Sequence, residues 1–332
     1  MDRPDHNEPS ATPGLSAGSA DAGGYPGPIP DAFPESLAAS DPSGPGRPAP
    51  GPPWPGQPAP GQPGAPGPDR PFLDVPGAPP TTKGAAGIWF LFALIGFAGG
   101  QVVAVLLTYI AAAVAGEGGQ LHKIASLDQP PEWYVGTSLV GLWVGFLAGP
   151  WIASKARGTG RFVADLGVQF RPIDLLGIVI GPAAQLLIGI LYAPFASHLK
   201  HFTAPTQRLT GASHGGGFVV IAVMTVVCAP FFEELFFRGL LFKALARLFT
   251  PTAVGPSARR TVGIAVAVVV DGLLFGAAHG ELVQLAGLAV FGAIMAFITY
   301  RTGRLGMNMV SHASFNLVAV LVVANHRGLI WH

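Results

Sequence analysis

The stretch "APFFEELFFRGLLF", residues 229–242, places two adjacent glutamates and an arginine among phenylalanine, leucine and alanine. It is flanked by "VVIAVMTVVC" (219–228) and by "LLFKALARLF" (240–249), both apolar enough for a membrane-spanning helix. A charged side chain near the centre of a bilayer costs about 2.5–3.5 kcal/mol on insertion scales. A helix that carries three such charges must bury them against polar partners inside a bundle. This stretch therefore selects a helical membrane protein with a polar interior.

The whole chain agrees with that reading. Its 332 residues are 50% hydrophobic and only 11% charged, and its mean hydropathy is +0.47. Soluble domains carry about 25% charged residues. The net charge of +1 provides no global field for nucleic acid. A single cysteine, Cys228, excludes an internal disulfide framework or a CxxC knuckle and reads as a small apolar residue. Of the 33 prolines, 23 fall in the first 80 residues, so composition sets a boundary near residue 84. Residues 1–84 are expected to be a disordered, solvated cytoplasmic tail with polyproline II character, the alternative being a segment that offers PxxP-type docking sites. Its start, "MDRPDHNEPS", has no apolar core of the kind a signal peptide needs. Residues 85–332 are expected to form the transmembrane helical domain, and deletion of residues 1–80 is expected to leave it folded and active on a small peptide.

Seven runs are long enough to cross about 30 Å of hydrocarbon. They lie at about 86–115, 133–153, 174–195, 217–241, 261–279, 282–300 and 306–325. The expected fold is thus an all-α, polytopic bundle of about seven transmembrane helices. Steps such as "FALIGFAGG" (92–100) suit close helix packing in lipid. Lys83, then Lys155, Arg157, Arg161 and Arg171, then Lys243, Arg247, Arg259 and Arg260, then Arg301 and Arg304 fall at alternate loops. The other loops carry Lys123, Lys200 and Arg208. This bias predicts a cytoplasmic N-terminus and an outward C-terminus in a plasma membrane. Trp133 and Trp331 fall near the expected interfaces.

Residues four apart share a helix face. Glu234 and Arg238 can therefore pair, while Glu233 has Phe237 one turn on and is left to face something else. A lone buried carboxylate needs a polar cavity, which makes it a candidate general base. "DGLLFGAAHG" (271–280) places His279 at the end of span five, and "MVSHASFNLV" (309–318) places His312 and Asn316 on one face of span seven. A carboxylate, two histidines and an amide within predicted spans point to a site rather than to separate core residues.

"EELFFR" (233–238), "FGAAH" (275–279) and "HASFN" (312–316) form, in order, EExxxR, FxxxH and HxxxN motifs. In this the sequence resembles the CPBP intramembrane protease family, which includes the CAAX prenyl endopeptidases and bacteriocin-processing proteins. The resemblance covers about residues 215–325 and implies an all-helical endopeptidase acting in or beside the bilayer. It implies that Glu233 activates water, that His279 helps hold it, and that His312 and Asn316 stabilise the oxyanion. Glu234, Arg238 and Phe275 complete the motifs as supporting residues. No cofactor is expected to be required. Zinc is a possible alternative, held by Glu233, His279 and His312, since two histidines and a carboxylate form a catalytic set. The expected partners are membrane lipid and a peptide or membrane-protein substrate. Prenyl substrates rest on the family name alone.

Two features depart from that pattern. Asp271 stands one turn before Phe275, where it could orient His279 or face a wet cavity. Counted along the predicted spans, Glu233 lies past the middle of one span on the cytoplasmic side and His279 near the outer end of the next, so straight helices would separate them. The short distance from His312 to Arg301 and Arg304 suggests access from the cytoplasmic half. Alternative readings are a zinc-dependent form of the same protease, a non-catalytic immunity or scaffold protein, and a transporter.

Overall fold

The structure, a computed structural model, describes residues 72–74, 78–127, 129–195, 215–251 and 257–326. Seven helices are long and apolar enough to cross a membrane. They are α1 (Lys83–Val114), α2 (Glu132–Arg157), α3 (Pro172–Phe195), α4 (Gly216–Phe249), α5 (Ala258–Ala278), α6 (Leu282–Thr302) and α7 (Gly306–His326). No strand occurs among the described residues. The chain is an integral membrane protein. Leu94, Ile110, Val179, Leu186, Val219 and Val262 are each more than half exposed, the reverse of a water-soluble surface. Most of the expected disordered tail, Trp331, Lys200 and Arg208 lie outside the described residues.

Glycines bring the first two helices together. Gly96 and Gly100 of α1 meet Gly145 and Gly149 of α2, and Gly141 meets Ala104, so that an added Cβ would strike the opposing backbone. Gly272 and Gly276 of α5 bring α6 equally close at Ala289 and Ala293. Such backbone approach replaces the hydrophobic driving force that lipid removes. The pair α3 and α7 run parallel, with Gly177 beside Ser311 and Gly181 beside Ser314.

Helix α4 carries the charged stretch and is irregular. Its α-helical start, Gly216–Val223, opens into a π turn at Met224–Cys228, where the Ala229 N–H reaches the Met224 carbonyl. Pro230 follows within the turn Ala229–Glu233. Proline has no N–H and its ring crowds the carbonyl four residues back, so a widened turn relieves the clash. A second π segment, Glu234–Phe242, has all nine residues buried. The helix closes with Lys243–Phe249. Wide turns of this kind recur at functional sites.

The helix ends divide into two sets. The starts of α1, α3, α5 and α7 lie with the ends of α2, α4 and α6, and this end holds the basic loops. Buried polar clamps close it. Arg304 Nη1 lies 2.7 and 2.9 Å from the two carboxylate oxygens of Asp174. Lys243 Nζ donates to the Asp165 carbonyl at 3.0 Å, and Ser154 Oγ donates to the Asp165 carboxylate at 2.6 Å. The Leu305 N–H reaches the Gly167 carbonyl at 2.8 Å.

One boundary differs from the compositional reading. Phe72–Asp74 forms a 3-10 turn with Phe72 buried, its ring 6.1 Å from that of Phe242. Asp74 pairs with Arg260, and Arg247 Nε donates to the Pro80 carbonyl at 2.9 Å. Thr82 caps α1 by accepting from the Ala85 N–H at 3.1 Å. The packed domain therefore begins before residue 84, because a short apolar anchor within proline-rich sequence escapes averaged composition. Deletion of residues 1–70 is expected to leave the thermal midpoint of the detergent-solubilised protein unchanged. Phe72→Ala in the full chain is expected to lower it, at a cost of about 3 kcal/mol for a buried phenylalanine. An unchanged midpoint for Phe72→Ala would show that the anchor contributes nothing.

Candidate active site

Glu234 sits at the centre, fully buried. Its Oε1 accepts from Arg238 Nη1 at 3.1 Å and lies 2.8 Å from His312 Nδ1. Its Oε2 accepts from Asn308 Nδ2 at 3.4 Å, and the same amide group donates to the Met295 carbonyl at 2.7 Å and to Thr299 Oγ1 at 3.0 Å. The i, i+4 pairing of Glu234 with Arg238 is present as expected. The bond from Glu234 to His312 was not anticipated.

Arg238 extends the same knot. Nη2 donates to the Gly292 carbonyl at 3.1 Å, and Nε lies 3.5 Å from Asp271 Oδ2. Its guanidinium carbon sits 4.3 Å from the centre of the Phe275 ring. Asp271 is fully buried against Arg238. Asp271, expected to orient His279 or to face a wet cavity, lies instead beside Arg238 and is not among the residues that line the cavity of the site. The Phe275 carbonyl, 2.8 Å from His279 Nδ1, is the group that meets this ring instead. A helix-borne histidine finds the carbonyl four residues back without help from another side chain.

Glu233 points elsewhere. Its side chain is 14% exposed, and Oε2 is buried with no hydrogen-bond partner. That oxygen lies 3.8 Å from His312 Nε2. Asn316 Nδ2 donates to the Thr225 carbonyl in the first π turn at 2.8 Å, which leaves its second N–H free to turn toward the same space. Glu233, His279, His312 and Asn316 all line one cavity of about 1240 Å³. Glu234, Arg238 and Asp271 stay outside it.

The expected depth mismatch between Glu233 and His279 does not occur. Phe237, one turn after Glu233, packs edge-on against Phe275, one turn before His279, with ring centres 5.1 Å apart. Helices α4 and α5 run in opposite directions, so one turn back on α4 and one turn on along α5 reach the same level. The sequence reading ended span four at 241, whereas α4 continues to Phe249. Glu233 consequently lies near the middle of its helix. Phe275 also lies 4.8 Å from the His279 ring and 5.7 Å from the His312 ring, as a spacer between the two histidines and Arg238.

Access differs from the expectation as well. The cavity runs from Phe237 and Glu233 past Thr225, Ser138 and Tyr192 to Tyr109, His122 and Glu281. Those outer residues lie at the helix ends opposite the basic loops. Near Arg301 and Arg304, among the described residues, the Asp174–Arg304 and Asp165–Lys243 contacts stand between the basic loops and the site.

Two contributors were missed in the sequence. Asn308 stands four residues before His312, which stands four before Asn316, so an amide–imidazole–amide stripe was visible on α7. Thr225 carried no signal, since its backbone carbonyl acts rather than its side chain. For the proposed zinc set, no group of three His, Cys, Asp or Glu side chains among the described residues could hold a metal ion. His312 Nδ1 is already held by Glu234, and His279 Nδ1 by a carbonyl.

Residues 215–318 match the family model described as type II CAAX prenyl endopeptidase Rce1-like. This is the CPBP/CAAX protease family that the three motifs resemble, and the match supports an intramembrane protease of CAAX type in general. Comparison of the chain with curated proteins and with solved structures gives no match.

Glu234→Ala and Arg238→Ala are each expected to lower the yield of folded protein, since either leaves a buried charge without its partner at about 3–5 kcal/mol. Asn308→Ala is expected to cost less, about 1–3 kcal/mol. Thermal unfolding in detergent checks all three. Normal unfolding of both Glu234→Ala and Arg238→Ala, with activity lost, would reassign the pair to chemistry.

Proposed function

We propose that the chain is an intramembrane endopeptidase of the CPBP type, using water activated by Glu233 and His279. The observation that carries this reading is the Glu233 carboxylate oxygen. It is buried, unpartnered and beside a cavity shared with two histidines and an amide. A buried acceptor without a donor is costly unless a transient partner completes it. A water is the natural partner.

In the proposed step, the water gives a proton to Glu233, and its oxygen attacks the carbonyl carbon of the scissile peptide. His279, anchored at Nδ1 by the Phe275 carbonyl, presents Nε2 to the same water. The carbonyl electrons move to oxygen, where the free N–H of Asn316 donates, joined by His312 when Nε2 carries a proton. One fixed donor at an oxyanion is typically worth about 10²–10³ in rate. The proton held on Glu233 passes to the leaving amine as the C–N bond breaks. Glu234 acts through His312, holding its ring so that Nε2 faces Glu233. No metal takes part in this proposal.

Glu233→Gln preserves shape and removes the base. It is expected to reduce cleavage of a membrane-peptide library by at least about 10²-fold, with the elution volume and thermal midpoint kept. Dialysis against a chelator is expected to leave wild-type turnover intact. Equal cleavage by wild type and Glu233→Gln would end the assignment of this site.

A further inference from the structure

We propose that Gln185 of α3 binds the peptide backbone of the substrate, its side-chain oxygen accepting the N–H of the residue whose carbonyl is attacked. This rests on the protease reading above. It adds to that reading a residue outside the three motifs and a restriction on the substrate.

Between Asp174 and Tyr192, Gln185 is the only residue with a polar side chain. Such a group in a membrane-spanning helix is expensive, because lipid offers it no hydrogen bond. The fold satisfies half of it. Nε2 donates to the Phe315 carbonyl of α7 at 3.1 Å. A carbonyl can only accept, so the nitrogen of the amide faces Phe315 and the oxygen faces the other way. That oxygen has no hydrogen-bond partner among the described residues. Packing alone gives no reason for an amide at this position.

Its place matters as much as its chemistry. Gly181 brings the backbone of α3 against Ser311, Ser314 and Phe315 of α7. Gln185 stands one turn further along α3, and its side chain points back toward the helix start, as helix side chains do. It meets there the peptide group that joins Phe315 to Asn316. Gln185 lines the same cavity as Glu233, His279, His312 and Asn316. Its amide is thus anchored to the backbone beside the proposed oxyanion donor. Other polar side chains of the cavity wall are already committed. Ser138 Oγ donates to the Tyr134 carbonyl at 2.7 Å, and Tyr192 Oη donates to the Val283 carbonyl at 2.8 Å.

An extended peptide presents the N–H and C=O of one residue to the same side, which is why paired strands exchange both bonds with a single residue. When the scissile carbonyl points at Asn316, the N–H of the same residue points along the same wall, toward Gln185. Two bonds to one residue fix the place and the roll of the carbonyl for attack by water. They also pair an N–H that would otherwise enter an apolar cavity without an acceptor. Proline has no N–H to offer. The substrate class is therefore a peptide with a residue other than proline immediately before the cleaved bond.

The test uses the full chain in detergent and a peptide chosen by its cleavage there and by loss of that cleavage in Glu233→Gln. The peptide is remade with an ester in place of the amide on the N-terminal side of the attacked residue. This removes the N–H with little change of shape. Wild type is expected to cleave the scissile amide of the ester-containing peptide about tenfold more slowly, in kcat/KM, than that of the parent. Gln185→Met keeps the length of the side chain and loses the acceptor. It is expected to be slowed on the parent to a similar degree and to treat the two peptides alike, with its thermal midpoint kept. Equal cleavage of both peptides by wild type, or an undiminished preference in Gln185→Met, would overturn the inference while leaving the protease reading intact. Gln185→Leu is the second variant, and failure of both variants to fold would overturn the inference by assigning Gln185 to packing. Failure of every peptide with wild type would instead strike the protease reading, and the inference with it.

Discussion

The buried carboxylate of Glu234 is the constraint on which the rest depends. It joins Arg238 on its own helix to His312 and Asn308 on α7. Arg238 then reaches Asp271 on α5 and the Gly292 carbonyl on α6. One polar knot thus binds four helices that lipid alone would leave free to slide. Buried networks of this kind act together, since each member left without its partner keeps its full desolvation penalty. The knot sets the register of α4 against α5, and that register levels Glu233 with His279.

The adjacent glutamates divide the work. Glu234 spends its oxygens on neighbours and stays out of the cavity. Glu233, about a quarter-turn away on the helix, keeps an oxygen unsatisfied beside it. The division follows from helix geometry, because neighbouring side chains cannot share a face. It also explains how charges so expensive in a membrane are tolerated: most are neutralised in the knot, and the one left over borders a cavity. The π segments of α4 support this arrangement by placing Pro230 without a clash and bringing the Thr225 carbonyl to Asn316.

The bundle is asymmetric along its axis. Among the described residues, salt-bridged and hydrogen-bonded clamps tie the basic end together, and the cavity that the site residues line runs toward the other. The asymmetry arises from residues outside the three motifs, such as Asp165, Asp174, Lys243 and Arg304. These lie in or beside the basic loops, so the segments richest in positive charge also carry the buried polar contacts at that end.

Much of this was decided by local sequence. Seven apolar runs set the helices to within a few residues at most ends, since length and hydropathy suffice to require a span. The i, i+4 spacing alone paired Glu234 with Arg238 and isolated Glu233. The three motifs named the four residues that line the cavity. What only the tertiary structure decided concerns relations between helices. Asp271 meets Arg238 rather than His279, Glu234 rather than Glu233 holds His312 most closely, and Phe72 joins a core from within proline-rich sequence. The level of Glu233 relative to His279, and the end toward which the cavity runs, belong to the same class. Periodicity reports which face of one helix a side chain occupies. Which neighbour that face meets, and at what height, depends on the packing of close glycine contacts and buried charges from distant segments.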